Sequence, residues 1–264
     1  MDLKIVIGHP WAFGLLTLSF LVLTIEAGYR TAKYINIEKD GSREKELEAI
    51  RDGLFLLVSL LLGFTLAVAA PQYLERRSLL VDEANAIGTT YLRTAVLPQP
   101  QRDQSQQLLA LYVDARLDFD RANWNEVRTA AAMENSKKIQ TQLWQNLIEA
   151  TKNERSAITA SYMVSLNELI DIHEKRLSAL ENRIPRAIWL LDLCVAALAV
   201  FLRGLTTARH FWFTVLVVPL TIAVVLALIA DLDTPGRGLI RVDQGAMLRL
   251  KADMNGVSSA QPAK

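Results

Sequence analysis

Apolar runs and charged amphipathic segments alternate along the chain, and their spacing predicts helices throughout. The stretch 54–100 carries the main transition. Leu54 to Ala70 holds no charge and, at a rise of about 1.5 Å per residue, covers most of a hydrocarbon core about 30 Å thick. Arg76 and Arg77 then mark an interface. Beyond them Leu79, Leu80, Ala84, Ile87, Tyr91 and Val96 keep helical spacing until Leu97-Pro98-Gln99-Pro100 ends the run. A membrane helix is therefore expected to continue into water as an amphipathic one.

Three further apolar runs have the length of spans. The first, from about Pro10 to Ala27, begins with a proline suited to a first helical turn and with Trp11 beside the interface. Ile25-Glu26-Ala27 is a poor cleavage site, so an uncleaved helix is expected rather than a secretory signal, with Glu26 in reach of Arg30. The third span is expected at about 187–205, after Pro185. The fourth runs from Phe211 to Ala230 with Pro219 inside it, a position that removes a backbone donor. Between the first two spans lies a charge-balanced link, with a turn at Lys39-Asp40-Gly41-Ser42 and a short solvated helix from Arg43 to Arg51.

Between the second and third spans no strand alternation occurs. Apolar stripes predict helices at about 101–122 (Leu108, Leu111, Tyr112, Ala115, Phe119), 124–152 (Val127, Ile139, Leu143, Leu147, Ile148) and 153–182 (Ile158, Tyr162, Leu166, Leu169, His173, Leu177, Leu180). The expected fold class is all-α: four transmembrane helices with a long helical extramembrane module between spans two and three. Four regions follow: 1–74, the first helix pair with its link; 75–186, the module; 187–243, the second pair and the turn after it; and 244–264, a polar tail, disordered beyond Asn255.

Charge narrows the function classes. Lys and Arg total 29 against 28 Asp and Glu, so no electrostatic footprint for nucleic acid is present. The single cysteine, Cys194, lies in an apolar run, which excludes an internal disulfide and offers neither a zinc cluster nor a nucleophile motif. No cofactor or metal motif and no enzymatic constellation is found, and no phosphate-binding Gly-rich loop suggests an ATP-driven pump.

Several residues are candidates for chemistry. In the second span Ser59, Gly63 and Ala67 recur every fourth residue, a stripe that permits close helix approach. The rival reading has this span line a pore, with Ser59 and Gly63 keeping it open and Phe55, Leu62 or Leu66 forming an apolar constriction. Asp82, Glu83 and Asn85 are the most polar cluster near the membrane, either a cation site or a solvated or intersubunit face. His173 lies in an apolar stripe and reads as a packed histidine. Asp192 is the only acid well inside an apolar run, either functional or paired with Arg186 about 9 Å along the helix. Asp231 and Asp233 follow the last span, as caps of a turn or as the lining of a vestibule.

Two stretches carry a resemblance. RRSLLVDEANAIGTTYLRTAVLPQPQR, from Arg76 to Arg102, resembles the signature of the bacterial bestrophin-like domain family, which is distantly similar to bestrophin anion channels. DLDTPGRGLIRV, from Asp231 to Val242, resembles the family's Asp-x-Pro-x-x-Gly turn, with Gly236 where the family commonly has an aromatic. The resemblance implies a homo-oligomer, pentameric, in the bacterial inner membrane, conducting inorganic ions passively, anions rather than cations, through a pore lined by the second span. It also implies a cytoplasmic module and termini. Ten Lys and Arg flank the spans on that side against eight on the other, a bias of the same sign. The alternative is a non-conducting scaffold or signalling protein, anchored in the lipid bilayer, whose module binds a partner.

Overall fold

A computed structural model describes residues 9–35, 41–122, 125–153, 157–207, 212–234, 236 and 238–259. Its regular elements are helices: α1 Pro10–Ile35, α2 Gly41–Arg93, α3 Gln101–Arg121, α4 Glu126–Asn153, α5 Ala157–Glu181, α6 Arg186–Leu205, α7 Trp212–Asp233 and α8 Gly245–Ser259, with a 3₁₀ turn at Thr94–Val96. The predicted continuation of the second span into a polar helix is realised in α2, 53 residues long with Pro71 inside it. The expected short helix from Arg43 to Arg51 is not separate; it is the start of α2. Likewise α1 runs past Ala27 to Ile35: Gly28 is held against α6, Arg30, Ala32 and Lys33 favour helix, and no proline interrupts the segment. Lys39, Asp40, Trp124 and Phe211, named above, lie outside the described residues.

Two compact units divide the chain. The first comprises 1–73 and 183–240 and the second 74–182 and 241–264. In the first unit α1 packs against α6 and α7, and the apolar core includes Leu21, Ile25, Val58, Leu62, Trp189, Ala196, Val200 and Ile229. Phe13 meets Trp189 edge to face at 5.3 Å. Two glycines set the closest approach. A Cβ on Gly28 would strike the Phe201 carbonyl, and one on Gly204 would strike the Ile25 carbonyl, so α1 and α6 touch backbone to backbone.

Among the described residues, four helical stretches are long and apolar enough to cross a membrane. Fewer than half of the residues in each apolar window are buried within the chain, so most of that surface faces outward. The protein is a multi-pass membrane protein.

The second unit has its own core. Ile87 and Leu80 of α2, Leu109 and Tyr112 of α3, Leu143 and Leu147 of α4, and Tyr162, Leu166 and Leu169 of α5 are buried. The predicted stripes hold for most positions. Leu111, Val127 and Ile148, however, face outward: Leu111 stands on the flank of its stripe, and Val127 and Ile148 stand on the far side of the helix from Leu143. The end of α2 meets α5 at Thr90, whose Oγ1 lies 2.8 Å from the Ala86 carbonyl and 3.0 Å from the Ser165 carbonyl, and at Arg93, which donates to the Ser161 carbonyl at 3.1 Å.

The C-terminal region departs from expectation. Helix α8 runs to Ser259, past Asn255, where a disordered tail is expected. Met247 and Met254, two turns apart on one face, are both buried, and Lys251 pairs with Asp114 at 2.6 Å. Two apolar anchors and one ion pair outweigh the small polar residues around them.

Candidate functional site

The five pore candidates share one feature of the first unit. Phe55, Ser59, Leu62, Gly63 and Leu66 of α2, with Val217, Val218, Thr221, Ile222 and Val225 of α7, line an apolar groove of about 450 Å³. Within it their exposures differ. Leu62 is 9% exposed and belongs to the core, whereas Ser59 and Gly63 face outward with Leu56, Leu60 and Phe64. A Cβ built on Gly63 meets nothing within 4 Å. Unlike Gly28, this glycine is not occupied by a neighbouring helix of its own chain.

Asp192 is 2% exposed on α6. Its partner is not Arg186, which stands exposed at the start of the helix, but Thr65 of α2, whose Oγ1 lies 2.9 Å from Asp192 Oδ2. The fixed phase of the helix turns Asp192 towards the helices and Arg186 away from them.

Asp231 and Asp233 are both buried, and both accept backbone N–H groups. Asp231 Oδ2 receives Leu239 N–H and Ile240 N–H at 3.1 Å each, and Asp233 Oδ1 receives Ile184 N–H at 3.0 Å, while Arg183 donates to the Asp233 carbonyl. A Cβ on Gly238 would fall on the Asp231 carboxylate, and Gly236 holds φ 81°. The turn therefore needs a glycine at each of these positions, and the left-handed backbone accounts for Gly236 where an aromatic is common. Pro235 lies outside the described residues. Asp233 ties the end of α7 to the segment before α6, and Asp231 holds the turn that follows α7.

The polar cluster of α2 separates. Asp82 and Asn85 are exposed and line an open polar groove with Asn167, Glu168, Asp171 and Lys175 of α5. Glu83 points the opposite way and is fully buried. The expectation that all three share a solvated or intersubunit face is therefore corrected for Glu83: successive residues on a helix stand about 100° apart. Arg116 Nε is 2.8 Å from Glu83 Oε1 and the Arg176 guanidinium pairs with Oε2. Tyr112 donates to Glu83 Oε1 at 3.2 Å, lies 2.9 Å from His173 Nδ1, and accepts from Gln140 Nε2 at 3.2 Å. The Arg116 guanidinium also stacks over Phe119, 4.9 Å from its centroid.

Electrostatics in this cluster oppose burial. Burial alone would raise the Glu83 carboxyl, but the Arg116 and Arg176 charges and the hydrogen bonds around it hold it well below the usual carboxylate range. Burial and the Glu83 charge push the Tyr112 phenol up. Arg76, expected at the interface, is also buried, and donates to the Ala179 carbonyl at 3.2 Å; Arg77 is exposed. Arg116, Tyr112 and Gln140 carry no sequence signal of their own, because their meeting depends on packing between α2, α3, α4 and α5. Among the described residues no group of three His, Cys, Asp or Glu side chains is arranged to hold a metal.

Comparison with known proteins places this architecture. A crystal structure of a bacterial bestrophin homologue from Klebsiella pneumoniae aligns with 94% of this chain and 99% of its own, at 14% identity and a TM-score of 0.68. A single-site variant of that homologue aligns over 92% and 97%, at 16% identity and a TM-score of 0.67. A further crystal structure, described as a membrane protein, aligns over 94% and 99%, at 15% identity and a TM-score of 0.66. At such identities the likeness concerns the fold. No protein among the curated sequences matches. The Bestrophin-like domain matches residues 52–247, which span α2 from its apolar run through the module and the second helix pair to the first turn of α8. With the resemblance of both signature stretches and the shared fold, that match makes this chain a member of the bestrophin-like domain family.

Proposed function

We propose that the protein is a homo-oligomeric ion channel of the bacterial inner membrane, conducting passively along the second span, with the module and termini cytoplasmic. The observation that carries the reading is the outward stripe of Ser59 and Gly63, with open space over Gly63 and an apolar groove beside it. A small-residue stripe with no helix of its own chain packed on it fits either a lumen or the flank of a neighbouring subunit, and a ring of identical spans makes both. Family membership favours the pentamer and anions. The side chains that shape the narrowest point are the outward ones; Leu62 supports them from inside the subunit. Asp82 and Asn85 are free to face permeating ions or an adjacent copy, since neither is needed for the core.

The reading is tested by reconstituting the purified protein in liposomes and measuring halide and potassium flux separately, for wild type and for Gly63→Leu. A Cβ at this position meets no atom of its own chain within 4 Å, so the fold is expected to hold and flux to fall. Flux in neither protein, at intact oligomeric state, removes the channel reading and leaves the anchored scaffold in its place.

A further inference from the structure

Thr65 has one hydroxyl proton and two acceptors in reach. Its Oγ1 lies 2.9 Å from the Leu61 carbonyl on its own helix and 2.9 Å from Asp192 Oδ2. A hydroxyl donates once and accepts through its lone pairs. Two arrangements satisfy this geometry. With Asp192 ionised, Thr65 donates to the carboxylate and its bond to Leu61 is given up. With Asp192 protonated, the carboxyl donates to Thr65 Oγ1 and Thr65 donates to the Leu61 carbonyl.

Among the described residues no counter-charge fixes the choice. Asp192 Oδ1 is buried and makes no hydrogen bond among the described residues. On α1, Glu26 and Arg30 pair with each other at 2.9 Å and Lys33 lies over Tyr29. On α2, Arg51 is engaged with Glu48, Asp52 and Thr206. On α7, Asp231 and Asp233 hold backbone N–H groups. On α6 itself, Arg186 is exposed at the first residue and Arg203 stands near the last.

We propose that Asp192 is a proton-binding site that acts on the second membrane helix through Thr65. Uptake of a proton from water forms the Asp192 O–H bond and turns the Thr65 hydroxyl onto the Leu61 carbonyl. Release returns that proton to water and turns the hydroxyl onto the carboxylate. A side-chain bond to the carbonyl four residues earlier bends a helix slightly, so the two states differ in the curvature of α2 beside Leu62 and Leu66. The proton site does not depend on the channel reading; only its effect on conduction does.

The test is infrared difference spectroscopy of the full chain in lipid as pH is lowered. The expected result is a protonated-carboxyl carbonyl band that grows on acidification, is lost in Asp192→Asn, persists in Asp192→Glu, and shifts in Thr65→Val, which has no acceptor for the carboxyl proton. An unchanged spectrum in Asp192→Asn overturns the site. A titrating band that stays at the same frequency in Thr65→Val overturns the coupling, and that variant serves alone if Asp192→Asn does not fold. Because no flux is read, failure here and failure of the channel reading are distinguishable.

Discussion

Glu83 and Asp192 are both carboxyls buried between helices, yet their surroundings share almost nothing. In the module, Glu83 sits between two guanidinium groups, with Tyr112 and His173 closing around it. In the membrane unit, Asp192 meets one neutral hydroxyl, and the ion pairs described there, Glu26 with Arg30 and Arg51 with Glu48 and Asp52, stand at or beyond the ends of the apolar runs. The difference follows from what each solvent tolerates. A module folded from water can gather Arg116 and Arg176 from distant helices to compensate one anion, whereas a helix in hydrocarbon has few polar groups to recruit, and Asp192 meets a single hydroxyl. Glu83 is thus a keystone of packing, and Asp192 a group left with a choice of proton.

The comparison breaks first at Glu83. Glu83→Gln leaves Arg116 and Arg176 buried without an anion and costs on the order of 3–5 kcal/mol of module stability, read by denaturant unfolding in detergent. Replacing Glu83, Arg116 and Arg176 together by apolar residues of similar volume restores much of that loss; if it does not, the cluster contributes more than mutual compensation.

The glycines sharpen the contrast on the membrane side. Gly28→Ala drives a methyl into the Phe201 carbonyl and costs about 1–3 kcal/mol by overpacking. Gly63→Ala meets open space and changes thermal stability little. Equal losses at the two sites would mean that Gly63 is packed, within its own chain or against a neighbouring subunit, and not open.

The smallest effect is in pH dependence. Glu83 is held below its ordinary value of 4.5, so its contribution is complete above about that pH and is lost as pH falls below it towards the folded value. Tyr112 is raised above its ordinary 10.0, so its contribution is complete below that pH and is lost as pH rises through the higher folded value. Unfolding curves across pH should show a weaker alkaline limb in Tyr112→Phe, with the part due to Tyr162 remaining, and a weaker acid limb in Glu83→Gln. A Tyr112→Phe profile matching wild type above that pH would place the alkaline loss elsewhere.

Length and uniform apolarity made the four spans legible in the sequence, and unbroken spacing across Arg76 made the continuity of α2 legible too. The partners of the candidate residues were not. Glu83 finds Arg116 thirty-three residues later and Arg176 ninety-three later, on helices whose stripes mark them only as amphipathic. Asp192 looks to a reader of one helix like a partner for Arg186, yet the structure joins it to Thr65, 127 residues away. Asp231 and Asp233 were readable as caps of a turn or as the lining of a vestibule, and the N–H groups they accept, those of Leu239, Ile240 and Ile184, needed the fold. The stripe of Ser59, Gly63 and Ala67 was readable as small residues, but only packing distinguishes an empty glycine from a filled one.

Pro71 has one more effect, on the depth at which α2 sits in lipid. Lacking an N–H, it leaves the Ala67 carbonyl without its donor in the helical ladder, one turn before the apolar run ends at Ala70. An oxygen in that state is costly in hydrocarbon and inexpensive where water or another donor reaches it. The proline therefore acts as a waterline: sinking the helix by a turn would drag a bare carbonyl into the acyl chains, and raising it by a turn would lift the apolar run out of them.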